Sequence, residues 1–310
     1  PDFSTTVGHD VDVRRATLMT SIQRPRGWRS KVWVSMRRDP RGLVGLTIVL
    51  AGILIAVFAP LLAPAGPTES NMRSVLQGPS WLAGGSSSNL LGTDQVGRDV
   101  LSRIIYGTRI SLSIGLLAVA ISAPLGVLIG GLAAYVSGWV EDLIMRVTDA
   151  QLSIPFILLA IALVSVLGQS LLNVILVLGL SSWVVYARVV RAEVLSLKQK
   201  EFIEAARVIG VSNSGILLRH LLPNTMGPVT VIATFAVAHM ILVEASLSFL
   251  GLGVPPPAAS WGGMIGDSRQ YLTTAWWLPV FPGIAITITV IGVNFLGDWL
   301  RDFLDPRSQI

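Results

Sequence analysis

The chain holds 310 residues, 52% of them hydrophobic and only 13% charged, with a net charge of +5 at neutral pH. A soluble domain carries about a quarter charged residues, so this composition, with its mean hydropathy of +0.67, excludes an ordinary soluble enzyme and points to a polytopic helical membrane protein. The absence of cysteine excludes disulfides, thiolate metal sites and cysteine nucleophiles.

Residues 1–42 read as a basic N-terminal arm on the cytoplasmic side. Its start, "PDFSTTVGHDVDVRR", has no apolar core behind a charged opening, so no cleaved signal peptide is expected. Within it "WRSKVWVSMRR" (Trp28–Arg38) mixes tryptophans with four cations and reads equally as an interfacial helix or a solvated basic arm. Residues 43–310 form the membrane domain. Apolar windows long enough to cross about 30 Å of hydrocarbon predict six spans near Leu43–Ala63, Ile110–Val136, Leu143–Leu167, Leu171–Ala187, Val229–Leu250 and Leu278–Leu296. A Gly/Ser/Pro-rich segment, 64–108, separates the first two, and a Pro-rich loop, 251–277, separates the last two.

Charge orients the spans. Eighteen of the 23 Lys and Arg residues fall on the side of the N-terminus, of the 188–223 segment and of the C-terminus; five (Arg73, Arg98, Arg103, Arg109, Arg269) fall on the other. By the positive-inside rule both termini face the cytoplasm. The basic surplus is therefore a topology signal, and no nucleic-acid partner is expected.

Several local patterns carry more specific expectations. In "EFIEAARVIGVSNSGILLRHLLPN" (201–224), Phe202, Ala205, Ala206 and Ile209 share an apolar face and Glu204 is spaced to pair with Arg207. Gly210 supplies a left-handed helix stop, Ser212 or Asn213 a new cap, and Pro223 is expected to end the second short helix before the next span. The result is a protruding helical hairpin, 201–223, which reads as a partner-docking element or an ordinary connection. In the outer segment Asp94, Arg98, Asp99 and Arg103 suggest a charge-paired amphipathic helix, structural and not an acid–base pair. Arg146 and Asp149 lie near the inner end of the third span, where Pro155 predicts a kink. Gly126, Gly130 and Ala134 make a small-residue face for close helix packing. Glu244, deep in the fifth span, must face the bundle interior; it reads either as a pore or gate group or as a structural hydrogen-bonding residue. His9, His220 and His239 are far apart, so no metal site is expected.

The hairpin resembles the E-A-A-x-x-x-G…L-P signature of permease subunits of ATP-binding-cassette importers, matching at Glu204, Ala205, Ala206, Gly210, Leu222 and Pro223; His220 stands where the broad pattern has Ile. "LLGTDQVGRDVLSRIIYGTRISL" (Leu90–Leu112) and the stretches "EASLSFLGLGVPPPAASWG" and "FPGIAITITVIGVNFLGDWLRDFLDPR" resemble the C-type subunit of dipeptide and oligopeptide permeases. The resemblance implies an all-α type I importer permease with six transmembrane helices in a bacterial inner membrane, whose hairpin is the coupling helix that seats on an ATPase. It implies as partners a homologous B-type permease, two ATP-binding subunits and an extracytoplasmic peptide-binding protein. The chain contains no G-x-x-x-x-G-K-[ST] and no Gly-Lys pair, so no phosphate-cradling loop is present; no catalytic residue or cofactor is expected here, with ATP and Mg²⁺ on the partners. Rival readings are a proton-coupled transporter using His239, Glu244 and Asp149, a membrane scaffold, or a permease for nickel chelates or glutathione.

Overall fold

The computed structural model describes Ser35, Met36 and residues 39–304. Most of the N-terminal arm, with all but two residues of the Trp28–Arg38 segment, lies outside the described residues. Among these, five helices are long and apolar enough to cross a membrane, and a bent pair makes a sixth candidate span.

Helix α1 (Pro40–Val57) turns Leu50, Ile53, Leu54 and Val57 outward and rests on the last helix through glycine. A Cβ on Gly45 would come 2.6 Å from the Leu296 nitrogen, so only glycine permits this approach. After the single turn α2 (Ala59–Leu62), residues 64–99 form an ordered, mostly non-helical segment. The expected amphipathic helix over Asp94–Arg103 is absent. Instead Gly92 and Gly97 adopt φ of 82° and 79°, the chain turns at Asp94–Gly97, and helix α3 (Val100–Val136) starts only after Asp99, whose side chain caps it through the Ser102 amide at 2.8 Å. The sequence period misled because Asp94 bonds the local backbone, which competes with helix.

α3 is the central helix and packs on most of the others. Its small-residue face meets a helix of the same chain: a Cβ at Gly126 would lie 2.4 Å from the Trp183 carbonyl, and one at Gly130 would lie 2.3 Å from the Ala187 carbonyl. The third expected span is broken. Helices α4 (Trp139–Leu152) and α5 (Phe156–Leu167) meet at 88°, a much sharper turn than a proline kink, because Ser153–Pro155 leave the helix altogether. α6 (Leu171–Ser181) and α7 (Trp183–Leu197) run on as one 27-residue span interrupted at Ser182. This span continues ten residues past its expected end at Ala187. Its two arginines are neutralised by α4: Arg191 meets Glu141 at 2.6 Å and Arg188 meets Asp149.

Helix α8 (Glu201–Val208) leads into α9 (Asn213–Phe249), a single 37-residue helix. Pro223 does not end a helix there, contrary to expectation. The turn Ile216–Leu221 is a π-helix, in which the Leu222 amide reaches back five residues to the Leu217 carbonyl. That widened turn gives the proline ring room and absorbs its missing donor. α10 (Trp261–Asp267) and α11 (Trp277–Leu304) complete the bundle. Trp261 pins α10 to α3 by donating from Nε1 to the Ile104 carbonyl at 3.0 Å.

Candidate functional site: the hairpin and its mounting

The hairpin is built by local chemistry that the sequence announces. α8 closes with the Gly210 amide bonded to the Arg207 carbonyl and the Val211 amide to the Ala206 carbonyl, a Schellman arrangement that requires the observed φ of 80° at Gly210. Ser212 then caps α9 by accepting from the Gly215 amide at 3.3 Å.

Its faces are not those expected. Ile203 and Ala206 point inward, at 0% and 5% exposure, into a cluster with Tyr186, Val190, Val194, Ile216 and Leu221. Phe202, Ala205 and Ile209 stay outside with Val208; Val208 and Ile209 are 87% and 78% exposed. Glu204 and Arg207 are both exposed, and among the described residues no ion pair joins them. The inward register is set by Ile203, Ala206 and Val211, which the α7 and α9 surfaces receive. Residues at the hairpin tip thus carry apolar area that no other described residue covers.

The mounting contains a residue that sequence reasoning counted only as a topology charge. Lys198 Nζ donates to the Ala134 carbonyl at 2.9 Å and to Ser137 Oγ at 3.0 Å, closing the C-terminal carbonyls of α3, where a cation is favoured. Leu222, half-buried, leans against α3 where a Cβ on Gly131 would touch it at 2.6 Å. Pro223 is exposed and His220 sits in the widened turn. The hairpin is therefore fastened at its base to α3, α7 and α9, with its apolar tip free.

Glu244 lies elsewhere. It is fully buried near the opposite end of α9, where Ser248 Oγ and Ser260 Oγ donate to its Oε1 at 2.7 and 2.8 Å. Ser260 also caps α10, so this carboxylate ties that helix to α9. His239 instead faces Phe156, ring centroids 6.0 Å apart, and Asp149 is paired with Arg188. The three groups of a hypothetical proton relay have separate partners. Among the described residues no cluster of three His, Cys, Asp or Glu side chains is placed to hold a metal.

Comparison with known proteins decides the family. Residues 124–310 match the family of binding-protein-dependent transport system inner membrane components. The chain belongs to that family. It is a multi-pass permease subunit of a binding-protein-dependent ABC importer. Residues 28–79 match the N-terminal transmembrane domain of oligopeptide transport permease C. Among relatives, the dipeptide transport system permease protein DppC of Alkalihalophilus pseudofirmus is 42% identical over 91% of this chain and 90% of its own length. The di/tripeptide permease protein DppC of Pseudomonas aeruginosa is 42% identical over 89% and 91%, and DppC of Escherichia coli is 42% identical over 89% and 92%. A solved inward-facing MetNI methionine ABC transporter shares the fold of this permease, with a TM-score of 0.51 and 21% identity over 66% of this chain and 96% of that one.

Proposed function

We propose that this permease imports di- and oligopeptides, forming half of a translocation pathway with a homologous partner permease. Hairpin 201–223 is its contact with a separate ATPase subunit. The carrying observation is the exposed apolar tip, Phe202, Val208 and Ile209, on a hairpin whose base is fastened by Ile203, Ala206 and Lys198. An element rigid at its root and apolar at its tip is suited to receive force from a partner and pass it to α7 and α9. Glu204, Ala205 and Gly210 belong to the tip; Ala206, Leu222 and Pro223 belong to its root. The names of the relatives support peptide as cargo.

In this reading both termini and the hairpin are cytoplasmic and the chain lies in a bacterial inner membrane. An extracytoplasmic binding protein delivers peptide to the outer face. Two ATP-binding subunits hold ATP and Mg²⁺, and this chain performs no covalent chemistry. ATP binding closes the ATPases, the hairpins follow, and the paired bundles reorient only as far as the two states differ in binding free energy.

The test uses the assembled transporter in proteoliposomes, with ATP hydrolysis measured with and without peptide-loaded binding protein. Ile209→Asp is expected to insert normally, since the site is exposed, and to lose peptide-stimulated hydrolysis at least tenfold. Unchanged stimulation would remove the coupling role. Uptake of dialanine and trialanine, with none of nickel chelates or glutathione, is the expected cargo result.

A further inference from the structure

Two interruptions of transmembrane helices face one cavity. The 88° break at Ser153–Pro155 between α4 and α5 and the interruption at Ser182 between α6 and α7 both border a space of about 460 Å³ walled on its third side by α9. A side chain of one break satisfies the backbone of the other: Gln151 Nε2 donates to the Ser181 carbonyl at 2.6 Å. Ser182 is the twelfth residue of the 27-residue span Leu171–Leu197, about 17 Å along it at 1.5 Å per residue, so the cavity lies away from both ends of that span.

The lining is mostly apolar, with Phe156, Val185, Phe235 and Met240, and presents His239 and Ser182 among them. His239 is exposed, as are Val185 and Ile154, so the cavity reaches the surface of this chain. Irregular backbone at membrane depth occurs where it is buried in protein or lines a water-filled space, and an imidazole turned to hydrocarbon is costly. This wall therefore faces protein or water, not lipid. Binding sites formed by broken helices near the midplane are a recurring device of transporters, and the volume lies within about 300–1,000 Å³, the usual range for small-ligand pockets.

We propose that this cavity is where the permease touches its cargo, with the apolar wall accepting peptide side chains of many kinds and His239 hydrogen-bonding main-chain oxygens. The inference rests on the peptide-import reading and adds to it a contact site and a specificity-determining residue that lie far from the hairpin.

The cysteine-free sequence permits a direct test. His239→Cys, Phe235→Cys and, as a control on an exposed α11 position, Ile288→Cys are each placed in the assembled transporter in proteoliposomes and treated with a charged methanethiosulfonate. Labelling of this chain at 235 and 239 is expected at least tenfold faster than at 288, and that at 235 slowed at least threefold during dialanine transport. His239→Leu is expected to lower dialanine uptake about tenfold at unchanged abundance, with His239→Gln recovering much of it. A cysteine at 235 that is unlabelled, or labelled at a rate indifferent to peptide, would overturn the proposal while ATP-driven peptide import by the parent assembly leaves the import reading standing. Absence of that import in the parent would overturn both.

Discussion

Glu244, in the C-terminal half of α9, and Ser260, at the head of α10, are joined by a 2.8 Å hydrogen bond sixteen residues apart, wholly inside the chain. Ser260 meanwhile accepts from the Gly263 amide at 3.0 Å, so one hydroxyl links the carboxylate, the cap of α10 and the Pro-rich loop. Removing one partner of such a buried contact costs about 1–3 kcal/mol. Ser260→Ala and Glu244→Ala should each lower the thermal midpoint of the purified transporter. The double variant should fall short of the sum by about 0.5–3 kcal/mol, because the two share one interaction. Uptake per folded transporter should remain near normal. A Glu244→Gln protein with full stability and abundance but little uptake would return this residue to the pore.

The contact between α3 and α7 has no spare space. Gly130→Leu places a side chain where even a Cβ meets the Ala187 carbonyl at 2.3 Å, and the helices must separate along their length. Loss of nearly all folded protein is expected by fluorescence-detected size-exclusion chromatography. Gly283, in α11 with nothing within 4 Å of its absent Cβ, is the control: Gly283→Ala should be neutral or stabilising by about 0.5–1 kcal/mol. A normally folded Gly130→Leu would refute the close-packing account.

If the hairpin docks an ATPase as proposed, substitutions at its root and at its tip should have different effects. Ile203→Ala, at 0% exposure, removes a side chain from a closed cluster and should cost about 2–5 kcal/mol. Ile209→Ala, on the exposed tip, should leave the thermal midpoint unchanged while reducing co-purified ATPase. Lys198→Met keeps an apolar stem but releases the α3 carbonyls. Increased hydrogen exchange over 198–212 with little change elsewhere is the expected reading, and unchanged protection there would mean that Lys198 does not fasten the hairpin.

Acid sensitivity of the 64–99 segment should be confined to low pH. Burial alone would push the Asp94 carboxyl upward, yet the Arg98 amide, the Arg103 guanidinium, the Val96 amide and the Arg98 side chain together hold it below the ordinary carboxylate value. A group depressed on folding contributes stability that is present above its unfolded value, about 3.9, and is lost as pH falls through the folded value. Asp94→Asn leaves Arg103, 4% exposed, without its near partner and should cost about 3 kcal/mol at pH 7. The gap in thermal midpoint between parent and variant should hold from pH 7 to 5 and narrow only below about pH 4. Narrowing between pH 7 and 5 would assign the network to another group.

Some of this was legible in the chain and some was not, for identifiable reasons. Gly210 and Ser212 act through backbone bonds within five residues, so the hairpin's turn could be written from the sequence. Pro223 could not: whether a proline ends a helix depends on whether the preceding turn can widen, and the π-turn at Ile216–Leu221 is held by packing at Ile216 and Leu221. The same holds for Asp94, whose i,i+4 spacing to Arg98 fits a helix and, as found, a capped turn. Lys198 and Ser260 gave no signal beyond charge and polarity, since their partners lie 64 and 16 residues away.

The linear order of residues by itself determined which segments are apolar enough to span, their order and the place of the hairpin, because transfer of helical backbone into lipid depends on local composition and length. It also held the small-residue face that seats α7 on α3. Only the tertiary structure decided which face of the hairpin is turned inward, that the third span breaks at Ser153–Pro155, and that Glu244 bonds the cap of α10 while His239 reaches a cavity. Those outcomes depend on which distant side chain occupies the facing position, a quantity set by three-dimensional packing and absent from any window of neighbouring residues.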